Sequence, residues 1–432
     1  MKTKSSQLLA AFSLVIVLCI SSCAMDKKSA DTSEKEANTF VKHTMSPGLI
    51  MAGYQGWFNA PEDGANRGWY HLTKDGRFEP GSCTIDMWPE MTEYEVQHET
   101  TFQYSDGSFA KIFSSNDEST VRLHFKWMKE YGIDGVFMQR FVVEVKSESG
   151  LKHFNKVLKS ASKAAMEYDR TIAVMYDMSG MNSQDADVII NDWKKVKDEF
   201  GFDKRSEYSN YLFCEGRPLV AIWGVGFNDN RKYNLDDIEK IIKFLKSDEG
   251  GNCSVMLGVP TWWRKQKIDC VKDEKLHELI KMADAVHPWL VGRFNEKRYD
   301  LVKPVIGKDK VWTDEHDLKY MPVVFPGFSW YNMYSDKNSN IIDRNNGHFF
   351  WKQLKGATSQ GAEMIYVAMF DEIDEATAIF KIARKVPVGD SKFVTLGDDI
   401  PSDHYLWLTG QAGQLMKDKR PLPQETPFQN AN

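Results

Sequence analysis

Six cysteines among 432 residues are few, and their spacings match no metal-ligand motif. Four of them, Cys83, Cys214, Cys253 and Cys270, lie beyond the N-terminal segment; they allow three disulfide pairings, and buried free thiols are the simpler expectation. Charge of one sign is not in surplus either. The 55 basic residues against 61 acidic give −6 at pH 7, so the balance calls for neither nucleic acid nor an anionic membrane surface as partner. Long apolar runs are missing: Leu8–Ile20, at 13 residues, is short of the ~20 that span ~30 Å of hydrocarbon. There is no internal repeat, and no Gly-rich phosphate turn follows the first apolar strand, which argues against an open dinucleotide-binding sheet. What abounds is aromatic. Thirteen Trp, 16 Tyr and 25 Phe can fill a core or line a site that meets the flat apolar faces of a ligand.

Lys2 and Lys4 ahead of the apolar run have the form of a secretory leader. Ile20-Ser21-Ser22-Cys23 resembles a bacterial lipobox, with Cys23 the lipidated residue; the alternative is an ordinary leader with a chance Cys. The expected organisation is a lipoprotein signal peptide over 1–22, a flexible tether over 23–46, one folded domain over 47–418 and a coil tail over 419–432. Such a chain belongs in the bacterial cell envelope, touching the membrane through its lipid anchor only.

Short apolar runs punctuate the domain at 49–54, 135–139, 171–176, 219–223, 254–259, 285–292, 321–325 and 364–370, the expected form of parallel strands buried on both faces. Amphipathic segments with helical spacing lie between them, at 120–131, 151–168, 186–200, 235–246, 273–285 and 347–359. Eight strands with intervening helices predict a single-domain (β/α)8 TIM barrel. The long stretch 64–118 reads as an insertion after strand 1 that walls a cleft. In such a barrel the chemistry sits on loops after the C-terminal ends of the strands.

After strand 8 stand Asp371, Glu372, Asp374 and Glu375, four carboxylates within five residues. Packed together they repel, so at least one should hold its proton above the ordinary carboxylate range. Splitting two carboxyls in this way gives one site a proton donor and an ionised partner, the usual apparatus of glycoside hydrolysis. Two other readings compete at this point: first-turn acids favouring a helix dipole, or oxygen ligands for Ca²⁺ or Mg²⁺.

The segment YVAMFDEIDEATAIFK is similar to the strand-8 motif of glycoside hydrolase family 99, the endo-acting α-mannosidases, which carries a Glu-Trp-His-Glu run. GYQGWFNAPEDGANRGWYHL is similar to that family's opening motif, and with GVPTWWR, HPWLVGRF and MPVVFPGFSWYN the chain resembles the bacterial family 71/99-like group over about residues 48–385. The resemblance implies Glu372 as the partner carboxylate and Glu375 as general acid/base, with configuration retained. Ile373-Asp374 replaces Trp-His, Asp371 replaces Asn and Ala376 replaces Gly, so the surroundings of the pair differ from the family's.

Tyr54, Trp57, Asp63 and His71 occupy the strand-1 motif and are expected at the rim or floor of the site. Asp177 ends strand 3, where a carboxylate can fix two hydroxyls. Arg140, Arg264 and Arg293 each follow a strand; they predict either an acidic group on the substrate or counter-charges for the strand-8 carboxylates. Trp262, Trp263, Trp330 and Tyr331 are candidates for stacking on sugar rings, whereas Trp127, Trp193, Trp351 and Trp407 lie in helices and should be core. No cofactor or metal is called for. The resulting expectation is a carbohydrate-cleaving enzyme; the competing one is a non-catalytic glycan-binding lipoprotein on a degenerate hydrolase barrel.

Overall fold

The computed structural model describes residues 43–204, 210–334 and 340–429. The expected signal peptide, Cys23 and the expected tether as far as residue 42 lie outside the described residues. The apolar runs form β1 (Ile50–Tyr54), β2 (Gly135–Phe141), β3 (Thr171–Asp177), β4 (Arg217–Trp223), β5 (Ser254–Pro260), β6 (Ala285–Trp289), β7 (Val323–Val324) and β8 (Ile365–Val367). Every residue of β1, β2, β5 and β8 is buried, which is why these strands read as continuous apolar runs. Parallel pairing runs in the order β8, β1, β2, β3, β4, β5, β6.

The seventh strand closes the barrel in two pieces. Lys319–Tyr320 pairs with β6, and β7 itself pairs with β8. Only Met321 and Pro322 separate the pieces, so the two edges of the sheet meet in one run. The sequence predicts an unbroken strand here. Proline has no N–H to give; its carbonyl accepts from Tyr366 N (3.1 Å) while Met321 N still donates to Val286 O (3.0 Å), and the chain passes from one neighbour to the other.

Each strand is followed by a helix: α1 (Glu118–Tyr131), α2 (Glu148–Tyr168), α3 (Ala186–Phe200), α4 (Leu235–Leu245), α5 (Lys275–Met282), α6 (Tyr299–Asp314), α7 (His348–Ser359) and α8 (His404–Lys417). Their starts follow capping chemistry where the sequence supplies it. Ser147 accepts from Gly150 N before α2, and Asn234 accepts from Asp236 N and Asp237 N before α4. Helices α6 and α8 have no counterpart among the amphipathic segments. In α6, Leu301 (73% exposed) and Val311 (58%) face solvent and Pro304 lies inside, which blurs the helical pattern. Trp127, Trp193 and Trp351 are buried as expected, while Trp407 is half-buried.

Two boundaries shift. Residues 43–46, expected in the tether, are part of the fold: Thr44 bridges Phe213 and Met45 N donates to Phe213 O at 2.8 Å. The final segment is coil but packed, since Leu422 is buried and Trp351 Nε1 donates to Pro423 O at 3.1 Å. Cys83, Cys214, Cys253 and Cys270 are free and buried. Within the insertion, His98–Gln103 and Phe109–Ile112 form an antiparallel pair. Its Asp86 fastens the loop after β7 by accepting from Tyr331 N (2.6 Å) and Asn332 N (2.8 Å), and Asp86 N donates to Ile373 O at 2.9 Å. Among the described residues no helix is long and apolar enough to cross a membrane.

Candidate active site

A cavity of about 540 Å³ opens at the C-terminal ends of the strands. Glu372 and Glu375 both line it, on the turn that leaves β8. Glu372 accepts from Gln55 Nε2 (2.5 Å) at one oxygen and from Thr377 Oγ1 (2.7 Å) at the other. Burial first, then the charge of Glu375, pushes its pKa well above the ordinary range, and the two donors pull it back. Glu375 accepts from Trp330 Nε1 (3.2 Å) and is pushed up to about 8 by burial and by Asp374. Its carbonyl takes Ser329 N at 2.9 Å, tying the turn to the loop after β7. Ala376 completes the turn at φ +52°, in the left-handed region that favours glycine, at the place where the family motif has one.

Asp371 and Asp374 belong to the same cluster but do not line the cavity. Asp371 is fully buried and accepts from the backbone of Gln55 (2.8 Å) and Gly56 (2.9 Å), so it sets the first loop; burial lifts it to about 7. Asp374 lies buried behind His71, with Nδ1 to Oδ2 at 3.9 Å. Neither is placed to touch a substrate.

The aromatic wall comes from the first loop. His71 lies flat on Trp57, ring centroids 3.9 Å apart and planes 9° from parallel, and Trp57 stacks on Phe141 at 4.8 Å. Burial lowers the His71 pKa to about 3, so the imidazole is neutral and offers a hydrogen bond rather than a charge. Its backbone sits at φ +60°, an uncommon conformation for a non-glycine residue. Across the cleft stand Trp223, T-shaped against Trp289 at 5.2 Å, and Trp330. Asp177 also lines the cavity, held by Ser179 N at 2.7 Å, and burial raises its pKa.

Of the residues the sequence points to, Trp57, His71, Asp177, Arg293, Trp330, Glu372 and Glu375 meet in the cleft. The others serve the scaffold. Tyr54 is buried with its hydroxyl on His124 Nδ1 (2.8 Å). Asp63 clasps its own loop through Ser114 Oγ (2.7 Å), Asn59 Nδ2 (2.9 Å) and Ala65 N (2.7 Å). Arg140 points away from the barrel interior because strand residues alternate faces; its neighbours Gln139 and Phe141 are the ones that face the cleft. Its guanidinium instead binds Asp192 of α3 (2.7 and 2.5 Å) and Asn155 of α2 (2.9 Å). Arg264 is drawn to Asp309 of α6 (2.7 Å), and Trp263 to the same carboxylate (3.1 Å). Trp262 and Tyr331 are anchored by their backbone N–H groups, to Asp269 (3.2 Å) and Asp86 (2.6 Å), and lie outside the cavity lining.

The three arginines therefore neither form an acid-recognition cluster nor neutralise the strand-8 carboxylates. Arg293 alone reaches the cleft, and it pairs with Asp269 at 3.2 Å. Gln55, Gln139, Glu144 and Trp289 line the cleft without having been singled out. A strict two-residue alternation along GVFMQRF would have exposed Gln139; nothing in the sequence marks Glu144, which is held by Arg67 and the Tyr70 hydroxyl.

A family profile described as Domain of unknown function (DUF5010) matches residues 159–387. No curated protein matches the chain. Two solved structures of the GH99 endo-alpha-mannosidase from Bacteroides thetaiotaomicron, one in complex with bis-tris-propane, resemble it at TM-scores of 0.63 and 0.62. Identity is 15% and 16%, and each match covers 87% of this chain and 98% of the other. At that identity the likeness is one of fold: the barrel is similar to that of these family 99 structures, the resemblance that the sequence motifs predict.

Proposed function

The chain belongs to the DUF5010 family, and we propose that it is a retaining glycoside hydrolase with Glu375 as general acid/base and Glu372 as the partner carboxylate. One observation carries the reading: two carboxyls on a single turn face one aromatic-walled cleft, and burial keeps a proton on the pair at neutral pH. Burial raises both carboxyls. Glu372 accepts from two donors and Glu375 from one, so hydrogen bonding favours the negative charge on Glu372, and the reading assigns the shared proton to Glu375. Glu375 gives that proton to the departing glycosidic oxygen as the C1–O bond breaks. A new bond to the anomeric carbon forms from the opposite face, from the Glu372 carboxylate or from the sugar's own 2-hydroxyl, whose proton Glu372 takes. Glu375 then takes a proton from the water that completes hydrolysis. Trp223 and Trp330 supply flat faces for sugar rings, while Trp57 is stacked between His71 and Phe141.

The substrate is a polysaccharide or glycan met at the bacterial cell envelope, where Cys23 holds the protein by its lipid. Incorporation of a palmitate analogue that disappears in Cys23→Ala tests the anchor; absence of any label refutes it. Activity is tested by screening polysaccharides and oligosaccharides with Glu375→Gln as control. The substitution should lower turnover by about 10²–10⁴ and leave folding and glycan binding in place. Full activity in Glu375→Gln overturns the assignment, and NMR of the first-formed anomer separates retention from inversion.

A further inference from the structure

The carboxyl assigned as acid/base sits among like charges. Asp374 on its own turn and Asp177 at the end of β3 add to burial in pushing Glu375 towards its protonated form, and Glu372 shares the cleft with it. The donor that opposes them is the Trp330 indole, at 3.2 Å. That bond lasts only while the loop after β7 holds the indole in place.

Trp330 stands between two residues bound to one carboxylate. Asp86 is fully buried and outside the cavity lining. One of its oxygens accepts from the Ser329 hydroxyl and from Tyr331 N (2.6 Å), the other from Asn332 N (2.8 Å). Three donors converge on this side chain, and an ionised carboxylate satisfies them all. The backbone beside it holds the turn after β8: Asp86 N (2.9 Å) and Met87 N (3.2 Å) both donate to Ile373 O, two residues before Glu375. Ser329 N closes the ring on Glu375 O at 2.9 Å. Phe328 and Tyr334 pack edgewise on the indole, at 4.8 and 5.1 Å, so Nε1 goes where the backbone carries it.

We propose that Asp86 is the positioning residue of the acid/base, gripping the chain on both sides of Trp330 and the turn that carries Glu375 so that the indole stays on the Glu375 carboxyl. The proposal rests on the glycoside hydrolase reading and adds to it a residue of the insertion that does not meet substrate. Asparagine at this position has the same shape and the wrong donors. Whichever way its amide turns, an NH₂ group faces a backbone N–H, that of Tyr331 or that of Asn332. Asn332 keeps its ties to Ile85 O (2.8 Å) and Lys392 N (3.1 Å), so the loop should remain while the indole leaves its register.

The test is an NMR titration of the full chain labelled with ¹³C-carboxyl glutamate and ¹⁵N-tryptophan. The Glu375 signal is identified by its absence in Glu375→Gln, and the Trp330 indole signal by its absence in Trp330→Phe. Losing a hydrogen bond to the charged form should move the Glu375 midpoint about one pH unit higher. Asp86→Asn should give that rise and displace the indole signal. Trp330→Phe should give it too, and the double variant should rise no further than either alone. Loss of the Asp86 charge by itself acts the other way: that charge raises Asp374, which raises Glu375, so its removal lowers the midpoint. Ser329→Ala takes away one donor of the three and should give a smaller rise, which decides the matter where Asp86→Asn does not fold. An unchanged or lowered midpoint, or rises that add in the double variant, overturns the proposal. Turnover is read separately. The alkaline limb of kcat/KM on a glycan that the parent cleaves should follow the same midpoints, whereas a parent that cleaves no glycan overturns the hydrolase reading and leaves the titration as it stands.

Discussion

Replacing Arg140 with methionine should damage the fold and spare the cleft. The guanidinium is 1% exposed, and its partner Asp192 accepts from it twice and from Tyr176 OH once (2.7 Å). Methionine fills much of the same volume and removes the charge, leaving the Asp192 carboxylate buried with one donor. Breaking a buried pair from one side costs about 3–5 kcal/mol. With roughly 2.1 cal/mol/K of unfolding entropy per residue, a fold of this size should lose about 4–6 °C in Tm. Arg140→Met/Asp192→Leu removes both charges and should return to within about 1 kcal/mol of the parent, since a well-packed apolar pair is often as stable as the ion pair it replaces. Calorimetry on the three variants, with glycan binding measured alongside, decides the matter. An Arg140→Met protein that melts like the parent yet no longer binds glycan refutes the argument, and restores Arg140 to the site.

Other perturbations give equally definite outcomes. Activity should fall as pH rises past about 8, where Glu375 loses its proton; Trp330→Phe removes a donor that lowers this pKa and should move the alkaline limb upward in a kcat/KM profile. Stability has its own pH dependence. Asp371 and Glu375 keep protons in the fold that the unfolded chain has shed above ~4. Their contribution is full below that pH and is lost as pH rises through about 7 and about 8, so Tm should decline between pH 5 and 9. Gly258→Ala places a Cβ 2.5 Å from Trp223 Cδ1 and 2.9 Å from its Cα; the overpacking should cost about 1–3 kcal/mol and weaken glycan binding, read by calorimetry and titration. Hydrolysis by a carboxyl pair should survive EDTA unchanged; a loss reversed by added divalent cation would contradict it.

The strands were legible because a parallel barrel buries both faces, and runs such as TIAVMY and SVMLGV carry no other message. Strand 7 was only half legible, since pairing that changes neighbour at Pro322 leaves no trace in hydrophobicity. Helix α6 was hidden by its exposed leucine and valine. Within the site, the carboxylates after β8 stood out because they are adjacent in sequence and share one turn. Arg140 misled for the opposite reason: being next to the end of a strand says nothing about which face a side chain takes. Gln55 was silent because a lone glutamine acquires meaning only from the carboxylate that its amide reaches, far along the chain.

A closed sheet has no edge, yet it is not equally hard to open all the way round. Strands β2 and β3 are paired along their whole lengths, Gly135–Phe141 to Thr171–Asp177, whereas the seventh strand holds β6 and β8 by two residues each. The lowest-energy excursion of the barrel is therefore a parting of this seam, and amides such as Tyr366 N, bonded to Pro322 O, should exchange with deuterium before those of β3. Trp330 follows one side of the seam and Glu375 the other, joined by the indole hydrogen bond to the Glu375 carboxylate and by Ser329 N on its carbonyl. Breathing of the seam and widening of the acid/base half of the cleft are then one motion, and a bound glycan spanning both sides would act as the stitch that slows it.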